Sequence, residues 1–287
     1  MEDAVLLNDR FVPRREALVS VDDGAFLHGA GLFETMRAEH GRVFRLEQHV
    51  QRLMNSAERL LFPLERSRLP SADQFVELLR RNGMARGRVR LTVSAGPVRN
   101  ATAEPTPTVC ATAGGSADYP EAFYRTGVAV LISRYRVSPS DPVAGHKTTN
   151  YLPRLLALRE AQAQRCAEAL WFTTENLLAE GSISNVFVVS RGTVMTPRLE
   201  TPVLPGIARA VVLELCHGAS IPTDERALSI NDLLDADEVF LTNSVMQVMP
   251  VIRVERKDIG EGRPGPLARQ VLAAYRECVA KECGEHA

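Results

Sequence analysis

The sequence predicts an α+β protein of two domains, and three observations lead to that prediction. Short segments in which apolar and polar residues alternate, as in half-buried strands, occur in both halves of the chain. Segments with apolar residues at helical spacing lie between them. A stretch of small and polar residues after position 113 is typical of a linker. We therefore expect an N-terminal domain over 1–115, a linker over 116–124 and a C-terminal domain over 125–287, with a ligand cleft between the domains.

The N-terminal domain contains two predicted strands and two predicted helices. A glycine-containing turn leads into a strand over 31–37. Apolar residues at intervals of three and four predict a helix over 45–61, and a second helix follows over 72–81. Residues 88–94 alternate between apolar and polar side chains and therefore predict a strand.

The C-terminal domain repeats this mixture with more strands. The predicted strands cover 128–133, 169–173, 186–190, 193–196 and 238–242. The predicted helices cover 150–165, 206–215 and 267–281. Pro153 is tolerated because it falls in the first turn of its helix, where the backbone N–H has no partner.

Composition excludes several classes of function. Basic and acidic residues number 34 and 35, and the net charge of -1 gives no positive field for nucleic acid or an anionic membrane. No apolar run approaches the roughly 20 residues that span a bilayer, and the N-terminus has no signal-like segment. The five cysteines are widely spaced without a Cys-x-x-Cys pair, so we expect neither disulfides nor a metal site. The expectation is a cytoplasmic protein with a small-molecule partner.

Lysine is rare in this chain, which makes one lysine conspicuous. Only Lys147, Lys257 and Lys281 are lysines among the 34 basic residues. The last two lie in charged stretches typical of a surface. Lys147 lies in a turn-rich stretch just before a predicted helix, where a primary amine can reach a cleft. On spacing alone it is equally consistent with a surface lysine.

Three other segments carry groups that bind the acidic or basic parts of a ligand. Glu180 precedes a turn of small residues that leads into an apolar strand, so its carboxylate can face inward. Gly206 opens a helix, and the unpaired N–H groups at a helix N-terminus bind phosphate. Arg52 lies between apolar positions of the first long helix and can clamp a phosphate. The plainer interpretations are a solvated loop glutamate, an ordinary helix start and a surface arginine.

A lysine, an acid and phosphate donors are the groups that an enzyme needs to use pyridoxal 5'-phosphate (PLP). Together these segments resemble the class IV, fold type IV family of PLP enzymes, which includes branched-chain aminotransferases, D-amino-acid aminotransferases and aminodeoxychorismate lyases. The resemblance extends over nearly the whole chain. It rests on segments 33–37, 43–53, 147–151, 180–187, 196–197, 204–209 and 236–240.

The resemblance implies the two-domain fold type IV architecture of D-amino-acid aminotransferases, with PLP in the interdomain cleft and held as a Schiff base on Lys147. It places Glu180 at the pyridine nitrogen and Tyr151 near the phenolic oxygen. The other implied cofactor contacts are Arg52, Ser184, Asn185, Ile207, Ala208 and Ser244. Ala208 departs from the pattern of many aminotransferases, which carry threonine there, so a hydroxyl to the phosphate is missing. Because the family usually forms homodimers, we expect a homodimer.

Two stretches favour the lyase branch of this family. Asn243-Ser244 resembles a pattern of aminodeoxychorismate lyases, and Thr35 falls where those enzymes carry a threonine that assists proton transfer. We therefore interpret the chain as a 4-amino-4-deoxychorismate lyase of folate biosynthesis, which eliminates pyruvate to give 4-aminobenzoate, with Lys147 and Thr35 as catalytic residues. The implied substrate contacts are Phe33, Arg37 and Asn243. A structural role for Arg37 is an equal alternative.

Two other hypotheses stay open. An amino-acid aminotransferase of branched-chain or D-amino-acid type would use Lys147 for the proton shift and would need a 2-oxo acid acceptor. Segment 260–266, which branched-chain aminotransferases share, favours it. The third hypothesis is a non-catalytic relative that binds PLP or a partner protein, and the retention of every cofactor-binding segment argues against it.

Overall fold

The structure is a computed structural model that describes residues 3–98, 106–115 and 119–284. It consists of helices and two β-sheets, which confirms the predicted α+β class. The chain divides into two compact units. The first comprises Met1–Ala117, His146–Tyr151 and Val279–Ala287, and the second comprises Asp118–Gly145 and Leu152–Cys278. Throughout the described ranges, each helix is too short or too polar to cross a membrane.

Six strands and three helices build most of the first unit. The strands are β1 (Ala4–Leu7), β2 (Arg10–Pro13), β3 (Gly31–Glu39), β4 (Arg42–Val43), β5 (Gly87–Ser94) and β6 (Val109–Gly114). Their order across the sheet is β2-β1-β6-β5-β3-β4, and all neighbours are antiparallel. The helices are α1 (Gly24–His28), α2 (Leu46–Arg59) and α3 (Ala72–Arg81).

Alternation along the strands gives this sheet an apolar face. On β5, Val89, Leu91 and Val93 are buried in one core cluster with Leu53 of α2 and Phe75 of α3. The helices contribute to this core because their apolar residues recur at intervals of three and four and so share one side of each helix. The core therefore lies between the sheet and the two helices.

The opposite face of the sheet is largely polar and carries several of the predicted site residues. Thr35 of β3 pairs directly with Arg90 of β5, and Arg37 pairs with Arg88. Since side chains two apart along a strand share a face, Phe33 lies on this side as well. We call this surface, formed by Phe33, Thr35, Arg37, Arg88 and Arg90, the polar face.

Nine strands form the mixed sheet of the second unit. They are β7 (Val128–Val137), β8 (Glu168–Thr173), β9 (Leu178–Gly181), β10 (Asn185–Ser190), β11 (Thr193–Pro197), β12 (Thr223–Arg226), β13 (Glu238–Asn243), β14 (Gln247–Val254) and β15 (Lys257–Asp258). The order is β12-β11-β10-β13-β14-β7-β8-β9, with β15 paired to β14. The pairs β11–β12, β14–β7 and β7–β8 are parallel, and the other pairs are antiparallel.

Five helices accompany this sheet, and one of them packs closely on it. They are α4 (Glu121–Thr126), α5 (Leu152–Ala163), α6 (Ile207–Gly218), α7 (Ile230–Leu234) and α8 (Pro266–Gly284). Ala157 and Ala161 of α5 share a core cluster with Ala169 and Trp171 of β8. Alanine side chains let the helix approach the strand closely, so α5 lies directly against the strand that precedes Glu180 in the chain.

The division into units differs from the sequence-based boundaries in two places. His146–Tyr151 groups with the first unit, because its backbone hydrogen-bonds to β3. The end of α8, from Val279, also groups with the first unit. In the expected linker, residues 116–118 lie outside the described residues, and residues 121–124 form the start of α4 instead of an extended connection.

Candidate active site

The lysine segment extends the edge of β3. The carbonyl oxygen of Lys147 accepts a hydrogen bond from the Phe33 N–H at 2.9 Å, and the Thr149 N–H donates to the Gly31 carbonyl at 2.8 Å. Gly31 is needed for this approach because a Cβ atom there would lie 2.8 Å from Thr149 Oγ1. Backbone hydrogen bonds therefore fix the position from which the Lys147 side chain starts.

The amine of Lys147 lies beside two aromatic rings. Its Nζ atom is 4.6 Å from the centre of the Phe33 ring and 5.9 Å from that of Tyr151. The two rings meet edge to face, with centres 5.4 Å apart and planes at 84°. Lys147 is half-buried, so the rings shield its amine from part of the solvent. The structure thus brings together three residues that the sequence predicts for one site.

Arg52, the predicted phosphate ligand, belongs to a buried charge cluster. Its Nε and Nη2 atoms donate to the two carboxylate oxygens of Glu34 at 2.9 and 2.5 Å. His49 Nδ1 lies 2.7 Å from Glu34 Oε2. These contacts join α2 to β3. The predicted contact between Arg52 and phosphate stays a prediction.

The partners of Glu34 decide its charge. Burial would raise the pKa of Glu34, but the charge of Arg52 and the hydrogen bond from His49 outweigh it and lower the pKa to about 2. Burial also lowers the pKa of His49, although Glu34 opposes this effect. The cluster therefore contains an ionised carboxylate, a guanidinium and a neutral imidazole that donates its Nδ1–H to Glu34.

Glu180, the predicted partner of the pyridine nitrogen, is buried at the end of β9 and held in one orientation. Its Oε1 atom accepts a hydrogen bond from Arg154 Nη2 at 2.7 Å. Its Oε2 atom accepts from the Leu204 N–H at 2.9 Å and from Asn185 Nδ2 at 3.4 Å. Each carboxylate oxygen has two lone pairs, so these contacts leave capacity for a ligand N–H. Asn185, predicted to bind the cofactor, supports Glu180 directly.

A second buried carboxylate, Glu168, organises the turn after Glu180. It accepts hydrogen bonds from the N–H groups of Ser182 and Ile183, both at 3.1 Å, and from Ser184 Oγ at 2.9 Å. Burial raises the pKa of Glu168, and these neutral donors only partly oppose the rise. The hydroxyl of Ser184, a predicted cofactor ligand, is thus used inside the turn. The sequence gives no sign of the role of Glu168, because Glu168 is the first residue of an otherwise apolar strand.

Helix α6 offers backbone donors for an anion. Its N-cap residue, Gly206, makes no side-chain capping hydrogen bond. Because the first N–H groups of a helix have no partner within it, Ile207 and Ala208 can donate to a phosphate. Gly206 is needed because a Cβ atom there would overlap Asn185 Oδ1. Ala208 is buried and contributes no hydroxyl.

The side chain of Asn243 holds the turn between β13 and β14. Its Oδ1 atom accepts from the Val245 and Met246 N–H groups at 2.9 and 2.6 Å, and its Nδ2 atom donates to the Ile183 carbonyl at 2.9 Å. Ser244 is half-buried in the same turn. Both ends of the amide are therefore used within the protein, and the predicted contact of Asn243 with substrate stays a prediction.

Arg37, for which the sequence leaves a substrate role and a structural role open, lies in an ion pair. Its Nη2 atom pairs with Glu39 Oε2 at 3.1 Å, and the residue is only 5% exposed. Burial and an internal carboxylate partner make it a poor receptor for a substrate carboxylate. A different arginine of the polar face is better placed.

Arg90, which the sequence analysis passes over, stacks on the ring that also contacts the lysine. Its guanidinium carbon is 3.9 Å from the centre of the Phe33 ring, and its Nε atom donates to Thr92 Oγ1 at 3.1 Å. Burial, and then the charge of Arg88, lower the pKa of Arg90, so a bound anion would stabilise its charged form. Among the described residues, Arg90 has no carboxylate as an ion-pair partner. The alternation of β5 is the sequence signal that could have found it.

Comparison with known proteins defines the family. The model of the class IV aminotransferases matches residues 31–254. D-alanine aminotransferase of Bacillus licheniformis is 32% identical and covers 97% of this chain and 98% of its own. Branched-chain amino acid aminotransferase of Escherichia coli superposes with a TM-score of 0.88 at 28% identity, over 96% of this chain and 94% of its own. A candidate 4-amino-4-deoxychorismate lyase of Legionella pneumophila has a TM-score of 0.83 at 26% identity, over 94% and 97%.

The chain belongs to the class IV aminotransferase family and is a PLP-dependent enzyme. Its residues fit the cofactor, because Lys147 supplies a partly shielded amine and Glu180 an anchored, buried acceptor. The uncapped start of α6 supplies phosphate donors. Within the described ranges, no group of three His, Cys, Asp or Glu residues is arranged to hold a metal ion.

Proposed function

We propose that the protein is an amino-acid aminotransferase that moves an amino group from a branched-chain or D-amino acid to a 2-oxo acid. The observation that carries the proposal is the half-buried amine of Lys147, which lies against the Phe33 and Tyr151 rings. The D-alanine and branched-chain aminotransferases that match nearly the whole chain support it. They favour this activity over the lyase that the sequence motifs suggest.

Each residue of the candidate site has its own role in such a reaction. When bound, PLP would supply the electron sink of the reaction. Lys147 Nζ takes the proton from the amino-bearing carbon of the substrate and returns it, while Phe33 and Tyr151 limit the access of water to that amine. Glu180 would accept a hydrogen bond from the ring nitrogen. The N–H groups at the start of α6, together with Arg52, would hold the phosphate.

Arg90 is the residue that we assign to the substrate carboxylate. It shares the Phe33 ring with Lys147, and its guanidinium is half-buried. A guanidinium binds a carboxylate through two parallel hydrogen bonds, which are stronger where water is partly excluded. This assignment replaces Arg37, whose charge is already balanced by Glu39.

Elimination of pyruvate from 4-amino-4-deoxychorismate is the second candidate function. Thr35 favours it, because the register pairs Thr35 with Arg90 on the polar face that also carries Phe33. A hydroxyl on this face is suitably placed to assist a proton transfer. The lyase-like neighbour from Legionella pneumophila also supports this candidate.

A homodimer is the assembly that we assign to the protein, and apolar surface in each unit supports it. In the first unit, Leu18, Val21 and Phe26 are 78%, 71% and 73% exposed. In the second unit, Leu152 is 68% exposed at the start of α5. Large apolar side chains that are exposed on one chain can be buried where two chains meet. Light scattering should give twice the 31.5 kDa chain mass, and a monomer at micromolar concentration would contradict the assignment.

A steady-state assay separates the two candidate functions. The PLP-loaded protein is supplied with branched-chain L-amino acids or with D-amino acids, each with and without 2-oxoglutarate or pyruvate. We expect formation of the new amino acid only when the 2-oxo acid is present. Release of 4-aminobenzoate and pyruvate from 4-amino-4-deoxychorismate without any acceptor, and no transfer, would overturn the proposal in favour of the lyase.

The role of Arg90 has a matched control on the same strand. Arg88 lies on the same face of β5 but is exposed. We expect Arg90→Met to raise KM for the amino substrate about tenfold or more, since a charged hydrogen bond contributes about 1.5–3 kcal/mol. Arg88→Met should leave KM within about twofold. Equal effects of the two substitutions would contradict the assignment.

A further inference from the structure

Arg154 lies in the first turn of α5 and is directed at the turn that begins with Glu180. Its Nη2 atom donates to Glu180 Oε1 at 2.7 Å. Its Nη1 atom donates to the carbonyl oxygen of Gly181 at 2.9 Å. One planar group thus binds both the carboxylate and the backbone of adjacent residues, which fixes the side chain of Glu180 relative to its own main chain.

The guanidinium of Arg154 is itself held in place from a third side. Its central carbon lies 4.8 Å from the centre of the Trp171 ring. The Trp171 indole N–H donates to Ser182 Oγ at 3.0 Å, so the ring is tied to the turn that Arg154 contacts. Glu168 binds the backbone of that turn from another direction. The guanidinium of Arg154, which contacts Glu180, therefore has little freedom to move.

The charge of Arg154 matters because Glu180 is buried. A buried carboxylate is stabilised by hydrogen bonds from charged donors, which are stronger than those from neutral donors. The other donors to Glu180, the Leu204 N–H and Asn185 Nδ2, are neutral. Among the described residues, Arg154 is the one cation that forms an ion pair with Glu180. Its removal would leave a buried carboxylate with only neutral partners.

We propose that Arg154 is a positioning residue for the cofactor and acts through Glu180. The ion pair holds the Glu180 carboxylate in a single orientation, so that it is ready to accept a hydrogen bond from the pyridine nitrogen. This inference rests on the role assigned to Glu180 under the proposed function. Arg154 itself contacts neither cofactor nor substrate in this account.

The test measures binding of PLP to the apoprotein, followed by the visible absorbance of the bound cofactor. The variants are Arg154→Met, Glu180→Gln and the double variant, with Arg159→Met as the control. Arg159 lies on the same helix and is exposed. We expect Arg154→Met to raise the Kd for PLP about tenfold or more, since a hydrogen bond to a charged group is lost. Arg159→Met should leave it unchanged.

The double variant distinguishes an indirect role from a merely structural one. If Arg154 acts through Glu180, Arg154→Met should add less than about twofold to the Kd in the Glu180→Gln background. Losses that multiply would overturn the inference, as would Arg154→Met behaving like Arg159→Met. If Glu180→Gln changes neither the affinity nor the absorbance, the role of Glu180 itself fails.

A conservative variant keeps the test valid if Arg154→Met does not fold. Arg154→Lys retains the positive charge but cannot bind the carboxylate and the Gly181 carbonyl with one planar group. We expect its Kd for PLP to lie between that of the native protein and that of Glu180→Gln. In the Glu180→Gln background, Arg154→Lys should have no further effect, and an additional loss there would overturn the inference.

Discussion

Among the described residues, the most deeply buried glutamates of the two units are Glu34 and Glu168, and they are held by opposite kinds of donor. In the first unit, Glu34 contacts the guanidinium of Arg52 and the ring of His49. In the second unit, the described donors to Glu168 are backbone N–H groups and the hydroxyl of Ser184. The pKa of Glu34 falls to about 2, whereas the pKa of Glu168 rises.

The difference shows how the two carboxyl groups serve the protein. A carboxylate that is buried with a cation remains ionised and joins two elements through charge, as Glu34 joins β3 to α2. A carboxyl group surrounded by neutral donors acts as a template for a loop, as Glu168 does for the turn after Glu180. We therefore expect changes at Glu34 to affect stability first, and changes at Glu168 to affect the geometry of the cofactor site as well.

Lys147→Ala should have the largest effect and should separate activity from stability. Loss of both the attachment point and the proton carrier is expected to reduce kcat at least about 1000-fold. Lys147 is half-buried, so the unfolding midpoint of the apoprotein should change little. Activity and urea denaturation measured on the same preparation test both parts. Substantial residual turnover would contradict the assignment of Lys147.

Glu34→Gln should have the largest effect on stability. The substitution leaves the buried guanidinium of Arg52 without its counter-ion, which typically costs about 3–5 kcal/mol. Chemical denaturation should show this loss in the unfolding free energy. Glu65→Gln, at an exposed position of the same unit, is the control and should stay within about 0.5 kcal/mol. A loss below about 1 kcal/mol at Glu34 would mean that the cluster does not stabilise the fold.

The ionisation of Glu34 should make the stability of the protein depend on pH in the acid range. Its pKa is about 2 in the folded protein against an ordinary value of 4.5. A lowered pKa gives stability that is present above about pH 4.5 and is lost as the pH falls toward 2, about 3 kcal/mol in all. Unfolding free energies at several pH values should show this slope. The slope should be weaker in Glu34→Gln, and equal slopes would show that other groups cause it.

Glu168→Gln should have a smaller effect on stability and a visible effect on the cofactor. The amide of glutamine would direct N–H donors at groups that are themselves donors, at a cost of about 1–3 kcal/mol. We also expect weaker PLP binding, because the turn carries Glu180 and Asn185. Titration of the apoprotein with PLP measures that loss. If Glu168→Gln had native stability and native affinity for PLP, the distinct role given to Glu168 would be contradicted.

The pH dependence of Glu168 should have the opposite sign to that of Glu34. A raised pKa gives stability that is present below the unfolded value and is lost as the pH rises through the folded value. The native protein and Glu168→Gln should therefore differ in slope above about pH 4.5. This is the smallest effect that we expect, and denaturation at closely spaced pH values would measure it.

Long helices were predicted from the sequence to within a few residues. The helix expected over 72–81 is α3 with the same bounds, and the helix expected over 45–61 is α2 at Leu46–Arg59. Most of their apolar residues face one core, so periodicity is enough to find them. Strand β1 was missed because it is four residues long and pairs with β6, about a hundred residues later in the chain.

The residues of the candidate site likewise fall into those that the sequence predicts and those that it does not. Lys147, Tyr151 and Phe33 lie together, and each belongs to a local motif that can be recognised in the sequence. Arg90 and Arg154 were not found, because their importance depends on a ring and a carboxylate that are distant in sequence. Arg37 is the converse case. The resemblance implies a substrate contact for it, but its guanidinium forms an ion pair with Glu39, two positions away in the sequence.

The measurement that tests the central claim most directly is a single turnover without acceptor. The PLP-loaded protein is mixed with an excess of one amino acid, and the 2-oxo acid formed is counted against active sites. The account predicts one equivalent of 2-oxo acid per site, conversion of the cofactor to its amino form, and renewed turnover when a 2-oxo acid is added. Continuous turnover of 4-amino-4-deoxychorismate without acceptor, together with no 2-oxo acid from any amino acid, would contradict it.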